Sequence, residues 1–304
     1  MFAIETHSLR HRYGRTEALH DLTLTVPDGA IYALLGANGA GKTTTIKLLM
    51  NLLAPTSGSA RVLGVDSRKL RERERARIGY VSENQQLPLW MTVRQLLDYC
   101  RPFYPTWDRH LEKHLLAKFA LPPERKLKHL SRGMLMKASL LSSLAYRPKL
   151  LVLDEPFSGL DPLVRDEFIH GVLEVSATGD WTVFISSHDI AEIEQLADHV
   201  GILDAGRLQL SEPTESLQSR FRRIEVTLPP TPTPPSSPFN LPTTWLAFAQ
   251  TGSLARFIET RFDPAATESA CRTHFPDAQI TAYPMTLREI FVNLARHNRT
   301  PATL

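Results

Sequence analysis

Nine residues beginning at Gly36, GANGAGKTT, limit the possible folds more than any other stretch. They start where the apolar run IYALLG (31–36) ends. They lead into TTTIKLLMNLL, in which Ile46, Leu49, Met50 and Leu53 share one helical stripe before Pro55 stops it. The spacing fits G-x-x-x-x-G-K-[ST], a phosphate-binding loop that works only between a strand and a helix. A polyphosphate must be gripped by many donors, so the backbone has to come close. Gly36, Gly39 and Gly41 remove the β-carbons that would block this approach and permit unusual dihedrals. Asn38 and Ala40 lie within the same cradle, and the helix that follows aims its free N–H groups at the phosphates. Lys42 supplies a cation for the β- and γ-phosphates, Thr43 a hydroxyl for Mg²⁺, and Thr44 a hydroxyl for the α-phosphate. The run implies a nucleoside triphosphate site.

Such a loop needs a second acidic element, and LLVLDEP (150–156) provides one. Apolar residues run up to Asp154, which emerges at a strand end where it can hold Mg²⁺. Glu155 follows, in reach of an attacking water. Taken alone, the same residues would be an ordinary acidic turn. KLLVLD (149–154), WTVFISS (181–187) and RIGYVS (77–82) also read as strands, the first two nearly continuous in apolar residues, as in parallel sheets covered on both faces. Helix-like patterns separate them. TVRQLLDYC opens on Thr92 with Gln95 three residues on, a capping box. RERERAR (71–77) reads as a solvated helix. The fold class is α/β.

The 304 residues carry 35 Lys and Arg against 32 Asp and Glu, a net charge of +3 that gives no basis for a nucleic-acid partner. Cys100 and Cys271 have neither metal-ligand nor redox spacing. No run approaches the length of a membrane span, so a membrane role requires another chain. A break in composition falls at LPPTPTPPSSPFNLP (228–242), a proline-rich loop. RRIEVTL before it and WLAFAQTG after it read as strands able to pair across it. Helical ATESACRTHF and strand-like AQITAYP follow. TLREIFVNLAR closes the pattern, with Thr286 and Glu289 as a capping box and Leu287, Phe291 and Leu294 on one face. Residues 221–304 are expected to form a small α+β domain.

With both nucleotide motifs in place, the chain resembles the nucleotide-binding subunit of an ABC transporter over residues 1 to about 220, in the branch that serves type-2 exporters. Motifs stand in that family's order: Tyr13 at the aromatic that stacks on adenine, GANGAGKTT, Glu83 in GYVSEN where a glutamine is usual, LSRGM (130–134) for a signature usually LSGGQ, LLVLDE, SGLD (158–161), and His188 in SSHD. The resemblance implies a P-loop ABC cassette at 1–220: a RecA-like α/β core, an N-terminal antiparallel β subdomain and a helical signature subdomain at about 84–147. It implies ATP and Mg²⁺, an ATPase with Glu155 and His188 as catalytic residues, and a metal held by Thr43, Glu83 and Asp154. Ser131 and Gly133 would meet the ATP of a second copy or a paralogue, and Asp161 would couple the two subunits. A separately encoded integral membrane permease would hold the chain at the cytoplasmic, inner face of the membrane. The segment from Glu83 to about Asp108 would face that permease, with Leu87, Leu89, Trp90 and Met91 as apolar material for docking or for a packed loop. Arg132 and Met134 replace a glycine and a glutamine; Arg132 would add a cation beside the nucleotide. An importer subunit and a non-transport ABC ATPase acting as a regulator remain the alternatives. The C-terminal domain is expected to strengthen or regulate dimer contact.

Overall fold

Five consecutive apolar residues make β3 (Ile31–Leu35) a strand buried at every position. In the computed structural model, which describes residues 1–177, 181–229 and 241–299, it lies at the middle of a six-stranded sheet. The order is β10-β9-β3-β8-β7-β6, with β6 (Ile78–Ser82), β7 (Leu150–Asp154), β8 (Thr182–Ser187), β9 (His199–Asp204) and β10 (Arg207–Pro213). The pairs β6/β7, β7/β8, β8/β3 and β3/β9 are parallel. Their carboxyl ends therefore share one edge, and the loops leaving that edge can converge. A second sheet, β2-β1-β4-β5, is antiparallel: β1 (Phe2–Tyr13), β2 (Thr16–Pro27), β4 (Ser57–Val62) and β5 (Val65–Asp66). One apolar cluster joins the two, with Ile4, Leu22 and Val62 packed alongside Leu34, Ile46, Val152 and Phe184.

Helix α1 (Lys42–Leu49) opens directly from the glycine loop. It is shorter than the apolar stripe suggests: Met50 ends it and Asn51 turns left-handed at φ 57°, so Leu53 lies beyond the helix. The charge run forms α2 (Glu72–Arg75), one turn with no buried residue. Between β6 and β7 come α3 (Val93–Cys100), α4 (Arg109–Lys118) and α5 (Arg132–Leu144). Thr92 and Gln95 make the reciprocal capping box on α3. Asp108 accepts from the N–H groups of His110 and Leu111 to start α4, and Ser131 accepts from the N–H of Met134 to start α5. In the loop before α3, Leu89 and Trp90 are exposed, but Met91 is buried, and its carbonyl accepts from the N–H of Leu127. Helix α6 (Pro162–Ala177) follows β7. No helix among the described residues is long and apolar enough to cross a membrane.

The chain divides into two compact units, Met1–Ser211 and Glu212–Leu304. The second holds α7 (Thr214–Arg220), α8 (Pro264–His274), α9 (Leu287–Arg299) and a four-stranded antiparallel sheet of order β12-β13-β11-β14. Its strands are β11 (Arg222–Thr227), β12 (Trp245–Thr251), β13 (Leu254–Glu259) and β14 (Gln279–Pro284). The expected pairing of β11 with β12 does not occur. The unanticipated β13 follows β12 through a tight turn at Gly252, so the local hairpin forms and inserts between them. The core of this unit is Ile224, Val226, Trp245, Phe257, Cys271 and Phe275. Of the proline-rich loop expected at 228–242, residues 230–240 lie outside the described residues.

Candidate functional site

At the carboxyl edge of the parallel sheet the chain leaves β3 at Gly36 and enters α1 at Gly41. Gly41 is the helix cap at φ 109°, and a β-carbon there would sit 2.7 Å from Leu19 Cδ2 and 2.8 Å from the Ala18 carbonyl oxygen. Backbone strain and crowding both require glycine at this position. Lys42 curls back over the loop, its Nζ donating to the carbonyls of Gly36 (2.7 Å) and Ala37 (3.2 Å). It is buried, at 5% exposure, so its charge must be paired. Its partner is Glu155, whose Oε1 lies 3.0 Å away but makes no hydrogen bond of proper angle. The loop thus holds a buried cation and an unsatisfied buried carboxylate oxygen beside a row of backbone donors.

Next along the sheet edge, Asp154 ends β7 and is nearly fully buried. Its Oδ1 accepts from Ser186 Oγ (2.7 Å) and Thr43 Oγ1 (3.1 Å). Burial pushes its carboxyl above the ordinary carboxylate range; the Ser186 and Thr43 hydrogen bonds oppose this, and the neighbouring Glu155 charge adds to it. A carboxylate poised this way gains from a cation. The hydroxyl of Thr43 and the carboxylate of Asp154 are hard oxygen donors, the set that suits Mg²⁺.

Glu155 has a left-handed backbone, φ 50°. Its N–H donates to the carbonyl (3.3 Å) and hydroxyl (3.1 Å) of Ser186, which tie the turn to β8. Its Oε2 is 2.7 Å from His188 Nδ1, so Lys42, Glu155 and His188 form one continuous chain of contacts. His188 itself is substantially exposed, at 41%. Asp154, Glu155, His188, Lys42 and Thr43 are therefore brought together.

The remaining candidates are placed differently. Tyr13 ends β1, half-exposed, with its ring edge-on to His11 at 4.5 Å between centroids. Asp161 Oδ1 accepts from the N–H of Val164, a cap on α6. Ser131 serves as the cap of α5. Gly133 packs on Val164; a β-carbon there would meet Val164 Cγ1 at 2.6 Å. Glu83 donates its N–H to the Asp154 carbonyl (3.1 Å), while its side chain accepts from Ser158 Oγ (2.9 Å) and pairs with Arg132. Arg132 thus turns onto its own chain. Two contributors were missed in the sequence. Ser186 hides within WTVFISS, whose apolar run ends in the two serines that precede His188, and Ser158 hides within SGLD.

A family model described as ABC transporter matches residues 19–158. A second, described as AAA domain, putative AbiEii toxin, Type IV TA system, matches residues 123–194. The bacitracin transport ATP-binding protein BcrA of Bacillus licheniformis is 35% identical over 222 residues, 72% of this chain and 72% of that protein. The daunorubicin/doxorubicin resistance ATP-binding protein DrrA of Streptomyces peucetius is 35% identical over 222 residues, covering 71% of this chain and 67% of its own. A solved ATP-binding subunit of an ABC transporter superposes with a TM-score of 0.65 at 29% identity, covering 71% of this chain and 92% of that one.

Proposed function

Because the chain belongs to the ABC transporter family of ATP-binding subunits, we propose that two copies of it, or this chain and a paralogue, close on two ATP molecules and drive export of a small molecule, lipid or peptide through a separate membrane permease. Hydrolysis of ATP coupled to transport is the activity of that family. The bacitracin-transport and drug-resistance relatives support the export direction. On this reading residues 1–220 are the ATP-binding domain and 221–304 an appended domain, and the chain sits at the inner face of the membrane through its permease.

The observation that carries the proposal is the contact chain Lys42–Glu155–His188 beside Thr43 and Asp154. Lys42 exchanges Glu155 for the β- and γ-phosphates, which the glycine loop and the start of α1 cradle. The freed carboxylate oxygen orients a water. That water's oxygen bonds to the γ-phosphorus as the bond to the bridging oxygen breaks, and its proton leaves with the phosphate. His188, steadied by Glu155, faces the γ-phosphoryl oxygens. Thr43 and Asp154 would hold Mg²⁺, with Glu83 as a further ligand through the carboxylate oxygen that Arg132 and Ser158 leave open. When bound, the metal offsets the charge on the phosphate oxygens. Tyr13 offers a ring face to adenine. Ser131 and Gly133 complete the partner's site, and Asp161 couples the two.

Mixing tests the shared site. Chains carrying Lys42→Ala and chains carrying Ser131→Trp are each expected to hydrolyse no ATP. Combined, they form dimers in which one wild-type phosphate loop faces one wild-type signature, and hydrolysis returns. A mixture that stays inactive while still forming mixed dimers sinks the in-trans reading.

A further inference from the structure

Two departures from the family pattern meet in space. Glu83 and Arg132 are 49 residues apart, yet the guanidinium pairs with the carboxylate. A second wall of the site is glycine: Gly159 stands at φ 68°, and a β-carbon there would lie 2.8 Å from Arg132 Nη1 and 3.0 Å from Cζ. The guanidinium therefore lies against the Gly159 backbone, whose left-handed φ itself favours glycine. Glu83 is bound on its other side by Ser158 Oγ at 2.9 Å, and Ser158 in turn donates its N–H to the Glu155 carbonyl at 3.2 Å. The Glu83 N–H reaches the Asp154 carbonyl. A line of polar contacts thus runs from the first residue of α5, through Glu83, to both ends of the turn that carries the two acidic site residues.

The charges explain why the two departures belong together. Residue 83 bonds to the Asp154 carbonyl through its N–H and to Ser158 through its carboxylate, next to a place that must admit a polyphosphate. Left unpaired, that carboxylate would repel the ligand. A neutral amide would need no counter-charge, and neither would a glycine at 132 supply one.

Resting on the ATP-site reading above, we propose that Arg132 is a positioning residue for ATP hydrolysis: it neutralises Glu83 and ties the start of α5 to the 154–159 turn. Arg132 acts through Glu83 and Ser158 and does not itself need to touch the nucleotide.

The test is a cycle of Arg132→Gly, Glu83→Gln and the double variant in the full chain, with two readouts that need no turnover. In the nucleotide-free protein, Arg132→Gly is expected to speed amide hydrogen exchange at Glu83 and Ser158. ATP binding measured by calorimetry in EDTA is expected to weaken about five-fold in Arg132→Gly. The double variant should return to within about twofold of Glu83→Gln alone, because no charge is left to neutralise. Arg132→Lys should keep the affinity. An Arg132→Gly loss of the same size with or without Glu83→Gln would mean that the guanidinium acts on the nucleotide directly, and would overturn the proposal. Unchanged exchange at both amides would overturn it too. A wild-type chain that binds no ATP would break the underlying reading instead, whatever the cycle shows.

Discussion

Two sheets of this chain, the six-stranded one and the four-stranded one of the second unit, treat charge in opposite ways. In the six-stranded sheet, β3, β7 and β8 are buried at every position, so no side chain along them can be ionised at low cost. Charge is confined to the strand ends, and because the strands are parallel those ends lie together. Asp154, Glu155, Lys42 and His188 converge there. In the four-stranded sheet of the second unit, β11 buries Ile224 and Val226 and leaves Arg223 and Glu225 on the other face. Its charges pair across the strands: Glu225 stands opposite Arg256 with Oε1 3.0 Å from Nε, and Arg223 reaches Glu289 and the Tyr283 ring. Two covered faces concentrate polar chemistry at one edge, where it is costly and useful. The face with Arg223, Glu225 and Arg256 spreads it out within reach of solvent, beside the covered Ile258 and Leu246.

Three substitutions break or sharpen that contrast. The largest effect is expected from Glu155→Gln at the strand end. Hydrolysis should fall by roughly 10²-fold or more while ATP still binds, so that ATP-bound dimers accumulate in size-exclusion runs. Normal turnover would remove chemistry from that edge. Next comes Asp154→Asn, which should stop Mg²⁺-dependent hydrolysis yet raise the melting temperature of the nucleotide-free chain by about 2–4 °C, for about 1 kcal/mol. The sign follows from its raised carboxyl. Between the ordinary carboxylate value and that raised value, the folded state binds more protons than the unfolded one. Stability is then full at the acid side and declines as pH rises through the window. The variant should lose that part of the slope; a lower melting temperature would contradict the assigned cost of the buried charge. The smallest effect belongs to Arg256→Ala, on the charged face of the second unit's sheet and 58% exposed. Denaturant unfolding should move by no more than about 0.5 kcal/mol, and a larger loss would mean that face is not solvent-screened.

How much could be read from residues alone depended on how local the physics was. The α/β class and the strand–loop–helix from β3 to α1 were legible because each part is dictated by neighbours in sequence: an apolar run, glycines, then a helical stripe. The strand ending in Asp154 was legible for the same reason. What escaped were partners set by topology. Ser186 meets Asp154 only because β8 lies beside β7. Arg132 was expected to face a nucleotide, and the fold turns it onto Glu83. Met91 suited either docking or a packed loop, and it lies buried while Leu89 and Trp90 stay exposed. Strand β13 was overlooked between two clearer strands, and with it the order of the second sheet.

The left-handed backbone of Glu155 has a consequence for how the chain can change over time. Successive residues of a strand point to opposite faces, yet Asp154 and Glu155 both serve the same loop, Asp154 through Thr43 and Glu155 through Lys42. The twist at φ 50° lets them do so, and it costs a non-glycine residue about 1 kcal/mol or more. A glycine there would sit at ease. It would also strip the buried Lys42 of its carboxylate, which costs more than the relaxed backbone returns. The fold and the reaction therefore hold a glutamate in that place together.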